Sequence, residues 1–177
     1  MSATWMRFVP IMAMTMPCTI GLASIPTIEA SFIQVIAKSQ QEYRSAENDM
    51  QKGGVKNRRD KAICSLMTSL TINDWVGKVK EIGANSDGKG TLEIEIADDI
   101  ILKTWNNDLS DGSSHTLISP NDPLFDSASS LKVGQAVKFS GKFFPGYEGE
   151  CIKEGSITLS GKLREPEFIF RFSSISH

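Results

Sequence analysis

Histidines, thiols and paired acids are the side chains with which a small protein does chemistry, and their spacing here points away from a catalytic centre. His115 falls in a polar stretch and His177 ends the chain. Neither stands near a cysteine or an acid at a metal-ligand spacing, so no catalytic residue, zinc site or cofactor is expected. The acid pair Asp98-Asp99 reads as a turn, which is too common a use of aspartate to indicate acid–base catalysis. Asn85, Asp87 and Gly88 to Gly90 suggest a calcium loop. Counted from Asn85, however, the fifth position is Lys89 and the twelfth is Ile96, where an EF-hand needs an oxygen ligand and a glutamate. A looser cation-binding alternative rests on Asn106, Asn107, Asp108, Asp111, Asn121, Asp122 and Asp126, residue types that turns also favour. The chain is read as non-enzymatic.

The thiols have another use. Met1 to Ala23 carries Arg7 as its only charge, then the apolar run Phe8, Val9, Ile11, Met12, Ala13, Met14 and Met16, then Gly21 and Ala23. That layout predicts a signal peptide over residues 1–23, with cleavage after Ala23 or, as second choice, after Ala30. Pro10 and Pro17 argue against a buried helix there, and Pro17 directly ahead of Cys18 argues against a lipid-attachment site. The expected location is periplasmic or secreted. Cys64 and Cys151 remain after cleavage, and in an oxidising compartment they predict one disulfide; two unpaired buried thiols are the alternative. Past residue 23 nothing approaches the roughly 20 apolar residues of a membrane span.

Binding is the remaining chemistry. The 177-residue chain has a formal net charge of −2 and a pI near 5.7, so it lacks the basic footprint that phosphate neutralisation requires, and nucleic acid is disfavoured as a partner. A local exception is the run Lys56, Asn57, Arg58, Arg59, Asp60, Lys61. A phosphate or anionic-lipid contact is one reading of it, and a solvated helix face is the preferred one. The stretch from Trp75 to Trp105 supplies the other candidates. Leu92, Ile94 and Ile96 alternate with Glu93 and Glu95, which places an apolar row on a core and two acids outside. Trp75, Glu93, Glu95, Lys103 and Trp105 form the speculative ligand-binding set, on which a sugar or peptide could stack while a polyanion is repelled. Burial of both tryptophans in the core is the preferred reading.

The elements that must position these residues follow from period and turn chemistry. Phe32, Val35, Ile36, Tyr43, Ala46 and Met50 recur at helical spacing, Ser31 and Gln34 match a capping box, and Gly53-Gly54 is expected to weaken or end that helix. Ala62, Ile63, Leu66, Met67 and Leu70 predict a second helix, which completes a helical segment over residues 31–70. A hairpin turn at Asn85 to Gly90 and a second turn at Asp98-Asp99 divide the next stretch into three strands, the third reaching from Ile100 to Trp105. A long polar connection then carries a short helix from Pro123 to Ser130. Ala136 to Phe143 alternates as a fourth strand with a bulge or bend at Gly141, Ser156 to Ser160 is expected as the fifth, and Glu167 to Ile175 as a further strand with Phe168, Phe170 and Phe172 on one face.

The order of these pieces, together with Gly77, Val79 and Ile82 and the later run Leu131, Lys132, Gly134, Gln135, Val137, Phe139 and Gly141, resembles the small bacterial OB-fold family described as tRNA-anticodon-domain-like. The resemblance covers about residues 72–160. It implies an α+β fold dominated by β: an OB-fold-like small barrel over residues 72–177 behind an N-terminal helical segment. The C-terminal strand and the long loop after Trp105 depart from the family pattern. OB-folds bind ligands across their second and third strands. The resulting expectation is an exported binding or interaction module whose partner is an envelope protein or a small ligand. Its alternatives are a nucleic-acid-binding OB-fold protein and a cation-binding secreted protein.

Overall fold

The computed structural model describes residues 25–147 and 149–177; the expected signal peptide lies outside them. Two helices, α1 (Thr27–Ser45) and α2 (Asp49–Leu66), lead into β1 (Thr71–Ala84), β2 (Gly90–Ala97) and β3 (Ile100–Lys103). Short helices α3 (Asp108–Asp111) and α4 (Pro123–Ser129) precede β4 (Ala136–Phe143), and α5 (Leu159–Arg164) precedes β5 (Glu167–Ser176). The five strands close into a barrel in the order β1-β2-β3-β5-β4. All neighbours are antiparallel except β3 and β5, where Leu102 lies beside Phe168. This is an OB-fold-like α+β architecture.

Closure depends on β1 serving two partners. Its first half pairs with β4 and its second half with β2, and Lys78 is matched with both Ala136 and Glu95. Gly77 sits at the crossover, where an added Cβ would lie 2.6 Å from Ile94 Cγ2 and 2.8 Å from the Glu95 carbonyl oxygen. Only glycine permits that approach. On β4 the register shifts between Ser140 and Gly141, so the expected irregularity at Gly141 is present. A Cβ there would come within 2.5 Å of the Phe170 ring.

The alternation on β2 is as the sequence implies: Leu92, Ile94 and Ile96 are buried and Glu93 and Glu95 face outward. Phe139, Phe143, Phe168, Phe170 and Phe172 fill the barrel with edge-on aromatic contacts, Phe143 and Phe170 having centroids 4.9 Å apart. Both barrel ends are plugged. At the β2–β3 turn end, Phe32 of α1 packs 5.5 Å from Trp75 and 5.2 Å from Phe168. At the hairpin end, Leu124 and Ala128 of α4 join Ile118 and Leu131 in the same core.

Several expected boundaries are corrected. Helix α1 starts at Thr27, not at a Ser31 capping box; no side chain caps it. Helix α2 runs straight through Gly53-Gly54, and the break lies at Ala46–Asn48, where the Asn48 side chain accepts from Gln51 N at 3.0 Å. The cap and the buried Val55, Arg59 and Ile63 outweigh a glycine penalty of about 1 kcal/mol each. Met50 therefore leaves the stripe and is exposed, and the second helix is the end of α2, stopping at Leu66. The third strand ends at Lys103, short of Trp105. Ser156 to Ser160 is not a strand: Thr158 caps α5 by accepting from Gly161 N at 3.0 Å, and Ile157 is 94% exposed. The Phe-rich segment, with three buried aromatics, takes the closing place as β5. It is the fifth strand of the barrel and no addition to it.

Candidate functional site

In an OB barrel the ligand groove is the outer face of the second and third strands, bounded by the β1–β2 and β4–β5 connections. Three of the five candidate residues occupy that face. Lys103 Nζ lies 2.6 Å from Glu93 and 3.3 Å from Glu167, so it bridges β2 and β5. Burial works against the Lys103 ammonium, but the hydrogen bond to Glu93 and the charges of Glu167 and Glu93 outweigh it and raise its pKa. Glu95 stands opposite Ile101 on the same side. The acidic row is thus partly neutralised by its own neighbours. Lys80 of β1 extends the pattern by pairing with Glu165 at 3.1 Å.

The tryptophans do not complete this face. Trp75 is 2% exposed and sits between Phe32 and Phe143 in the core, so it is withdrawn as a stacking platform. Trp105 lies past the end of β3, where its backbone N–H donates to Thr116 Oγ1 at 2.8 Å and its buried indole nitrogen has no acceptor among the described residues. It is half-buried in the long connection.

The protein fills much of the groove with its own chain. Ile101 and Ile169 point outward from β3 and β5, yet they are buried outside the main core, Ile169 against Gly155. Residues 153–155 run along β5, with Ile169 N donating to the Lys153 carbonyl at 3.0 Å and Gly155 N to Glu167 O at 2.8 Å. This connection is also tied to α2. Cys64 and Cys151 pair at disulfide distance, Cα to Cα 5.2 Å, across 87 residues. The Arg59 guanidinium, fully buried, contacts Asp60 at 2.8 Å and Glu154 at 2.5 Å and donates to the Lys162 carbonyl. Lys56 bridges Asp60 at 2.6 Å and Glu150 at 2.8 Å, and Lys162 also pairs with Glu150. Burial raises the Glu154 pKa despite Arg59, whereas for Glu150 the bonds from Lys162 and Lys56 overcome burial and lower it.

The basic run in the sequence is therefore only in part a solvated face: Asn57, Arg58 and Lys61 are exposed and the rest are not. Lys56 and Arg59 turn inward to the acids of the β4–β5 connection, and Arg58 pairs with Glu42 at 2.6 Å. Nothing local marks Glu150 and Glu154 as their partners. No family model matches the chain, and no curated protein and no solved structure is matched by it.

One buried acid escaped the sequence reading altogether. Glu29, in the first turn of α1, is 0% exposed and accepts from Val76 N through both oxygens, at 3.2 and 3.1 Å. Burial raises its pKa to about 7, against the lowering effect of the Val76 hydrogen bond. No signal in the sequence pointed to it, because the helix expected from Ser31 left Glu29 outside, and its first-turn place appears only with the start at Thr27.

Other oxygens serve the backbone. Asn85 accepts from Asp87 N and Lys89 N, Asn107 caps α3, Asp122 caps α4, and Asp111 accepts from Thr116. Among the described residues no group of three or more His, Cys, Asp or Glu is arranged to hold a metal. Among the described residues, grooves include one of about 530 Å³ between α1 and α2, one of about 310 Å³ where the start of α1 meets β1, and one of about 560 Å³ between α1 and the β2–β3 turn. The last has Ile33, Ala37 and Ile100 with Arg44 on the helix and Asp98 and Asp99 on the turn.

Proposed function

We propose that this protein is a non-enzymatic, exported interaction module that uses an OB-like barrel as a rigid support for binding a protein partner in the bacterial periplasm. One observation carries the reading. The β4–β5 connection, with which OB barrels grip extended ligands, is laid along β5 at residues 153–155 and anchored to α2 by buried ion pairs. A groove occupied by the protein's own chain has little room for an oligonucleotide or oligosaccharide. The outer surface is left for recognition, and the groove between α1 and the β2–β3 turn, apolar below and oppositely charged on its two walls, suits a peptide segment.

Export is supported by the signal-like layout of Met1 to Ala23 and by the Cys64–Cys151 pair. The fold also favours one cleavage point. Removal of residues 1–23 leaves α1 whole, whereas a cut after Ala30 would take away Glu29 and its bond to β1. Among the described residues no helix is long and apolar enough to cross a membrane. The resemblance to the tRNA-anticodon-domain-like family is proposed on the same footing, as an ancestry of fold.

Fractionation with crosslinking tests the reading. The expected result is a chain beginning at Ser24 in the extracytoplasmic fraction, with Cys64 and Cys151 unreactive to thiol reagents before reduction, and a crosslink to another protein that is lost when Arg44 and Asp99 are both changed to alanine. A cytosolic chain beginning at Met1 with two reactive thiols, or one crosslinked chiefly to nucleic acid, would overturn it.

A further inference from the structure

Among the described residues, four of the cations without an ion pair share one stretch of the barrel's outer surface, while Lys38, Arg44, Lys61, Lys132, Lys153 and Arg164 lie elsewhere. Outward positions on β1, β4 and β5 place Lys78, Lys138, Lys142 and Arg171 on one sheet face, all exposed. None of the four makes an ion pair among the described residues. Lys142 and Arg171 are direct cross-strand partners, an arrangement of like charges that weakens a sheet unless something else uses it. Between the cations lie hydroxyls: Thr71 beside Lys142, Ser140 beside Ser174, and Ser176 beside Lys138. Two acids border these cations: Asp74 in the β1 bulge, and Glu95 of β2, the cross-strand partner of Lys78. Beyond Lys142 the chain continues to Phe144, whose ring lies 5.9 Å from Arg171 Cζ, and to Tyr147, which is 74% exposed.

We infer that this face is a docking surface for an anionic phospholipid membrane. The argument is charge complementarity with a particular shape. Lys138 and Lys142 are four residues apart on one strand, about 13 Å, and neither they nor Lys78 and Arg171 line the grooves described above. A broad cationic sheet face suits a plane of headgroups. A discrete small anion would need converging donors. Aromatic side chains lie at one margin, as at a membrane interface, where a ring sits at headgroup depth. Hydroxyls add donors to phosphate. Each lysine or arginine near such a surface contributes about 1 kcal/mol and is screened by salt. The net charge of −2 is compatible with such a contact because acids such as Glu93 and Glu154 are neutralised by Lys103 and Arg59.

The lipid contact is independent of the protein partner proposed above, and its failure is read separately from failure of the crosslink. The test is flotation of the full chain with phosphatidylcholine vesicles, with and without phosphatidylglycerol. The comparison is between the natural chain and K138E/K142E/R171E, with thermal unfolding as the fold control. Any contribution of Met1 to Ala23 is common to both chains. The expected result is preferential binding of the natural chain to anionic vesicles, reduced by salt and falling more than about tenfold in the reversal variant, with binding to neutral vesicles unchanged. If the triple variant unfolds, K142Q/R171Q should show a smaller loss of the same kind. Equal partitioning of the natural and variant chains overturns the inference. So does a natural chain that shows no preference for anionic lipid and is retained instead by an acidic polypeptide such as polyglutamate.

Discussion

Glu29 shows how a single side chain can be set against the fold that holds it. Its carboxyl is fully buried, the Val76 N–H is its only hydrogen-bond donor among the described residues, and its pKa stands at about 7 against an ordinary 4.5. Between those two values the folded protein keeps a proton that the unfolded chain has already released. Stability from this group is therefore fully present below about pH 4.5 and is lost as pH rises through 7, by up to about 3 kcal/mol. Glutamine keeps the acceptor and removes the charge. E29Q should match the natural protein in denaturant unfolding at pH 4 and exceed it by about 2–3 kcal/mol at pH 8; the same difference at both values would show that ionisation is not the cause. No sequence pattern announced this residue, because its burial depends on β1 arriving beside α1 from 47 residues away.

At the scale of elements, α2 is the instructive case. Two adjacent glycines promised a helix end, yet the helix continues because its neighbours hold it: Asn48 caps it, and Arg59 and Ile63 are buried against the rest of the protein. The penalty is still present in the backbone. Around Gly53 an added Cβ meets nothing within 4 Å, so G53A should stabilise the protein by roughly 0.5–1 kcal/mol in thermal or denaturant unfolding. A loss of stability would mean that the glycine serves a contact or motion that the folded helix does not reveal. The segment from Ser156 to Ser160 errs the other way. Its alternation suited a strand, but a Thr158 cap and the pull of the longer phenylalanine row in β5 gave it to a helix start and left Ile157 in water.

For the whole molecule, the helices and the barrel share one hydrophobic core. Phe32, Ile36, Ile63 and Met67 belong to the same core as the strands. The Cys64–Cys151 pair, spanning 87 residues, staples α2 to the β4–β5 connection beside the Arg59 network. Closing a loop of that length is worth up to about 4 kcal/mol through the unfolded chain. C64S/C151S, or the reduced protein, should unfold in one transition at a temperature lower by roughly 10 °C. Separate melting of helices and barrel would show two units instead of one.

Read alone, the amino-acid order determined the features that local physics controls. The Asp-Gly hairpin, the inward row Leu92, Ile94 and Ile96, the β4 alternation with its irregular Gly141, the Pro123 helix and the candidate cysteine pair all follow from turn chemistry and side-chain period within a few residues, or from the count of thiols. Tertiary structure alone decided the fate of the charges and of the candidate site. Trp75 went to the core, Lys103 was taken up by Glu93 and Glu167, and Arg59 found Glu154 across 95 residues. Lys142 and Arg171, 29 positions apart in the numbering, became neighbours on an open face. The reason is the range of the forces. Backbone preference acts between adjacent residues, whereas desolvation and charge pairing depend on which strands the closed barrel brings side by side.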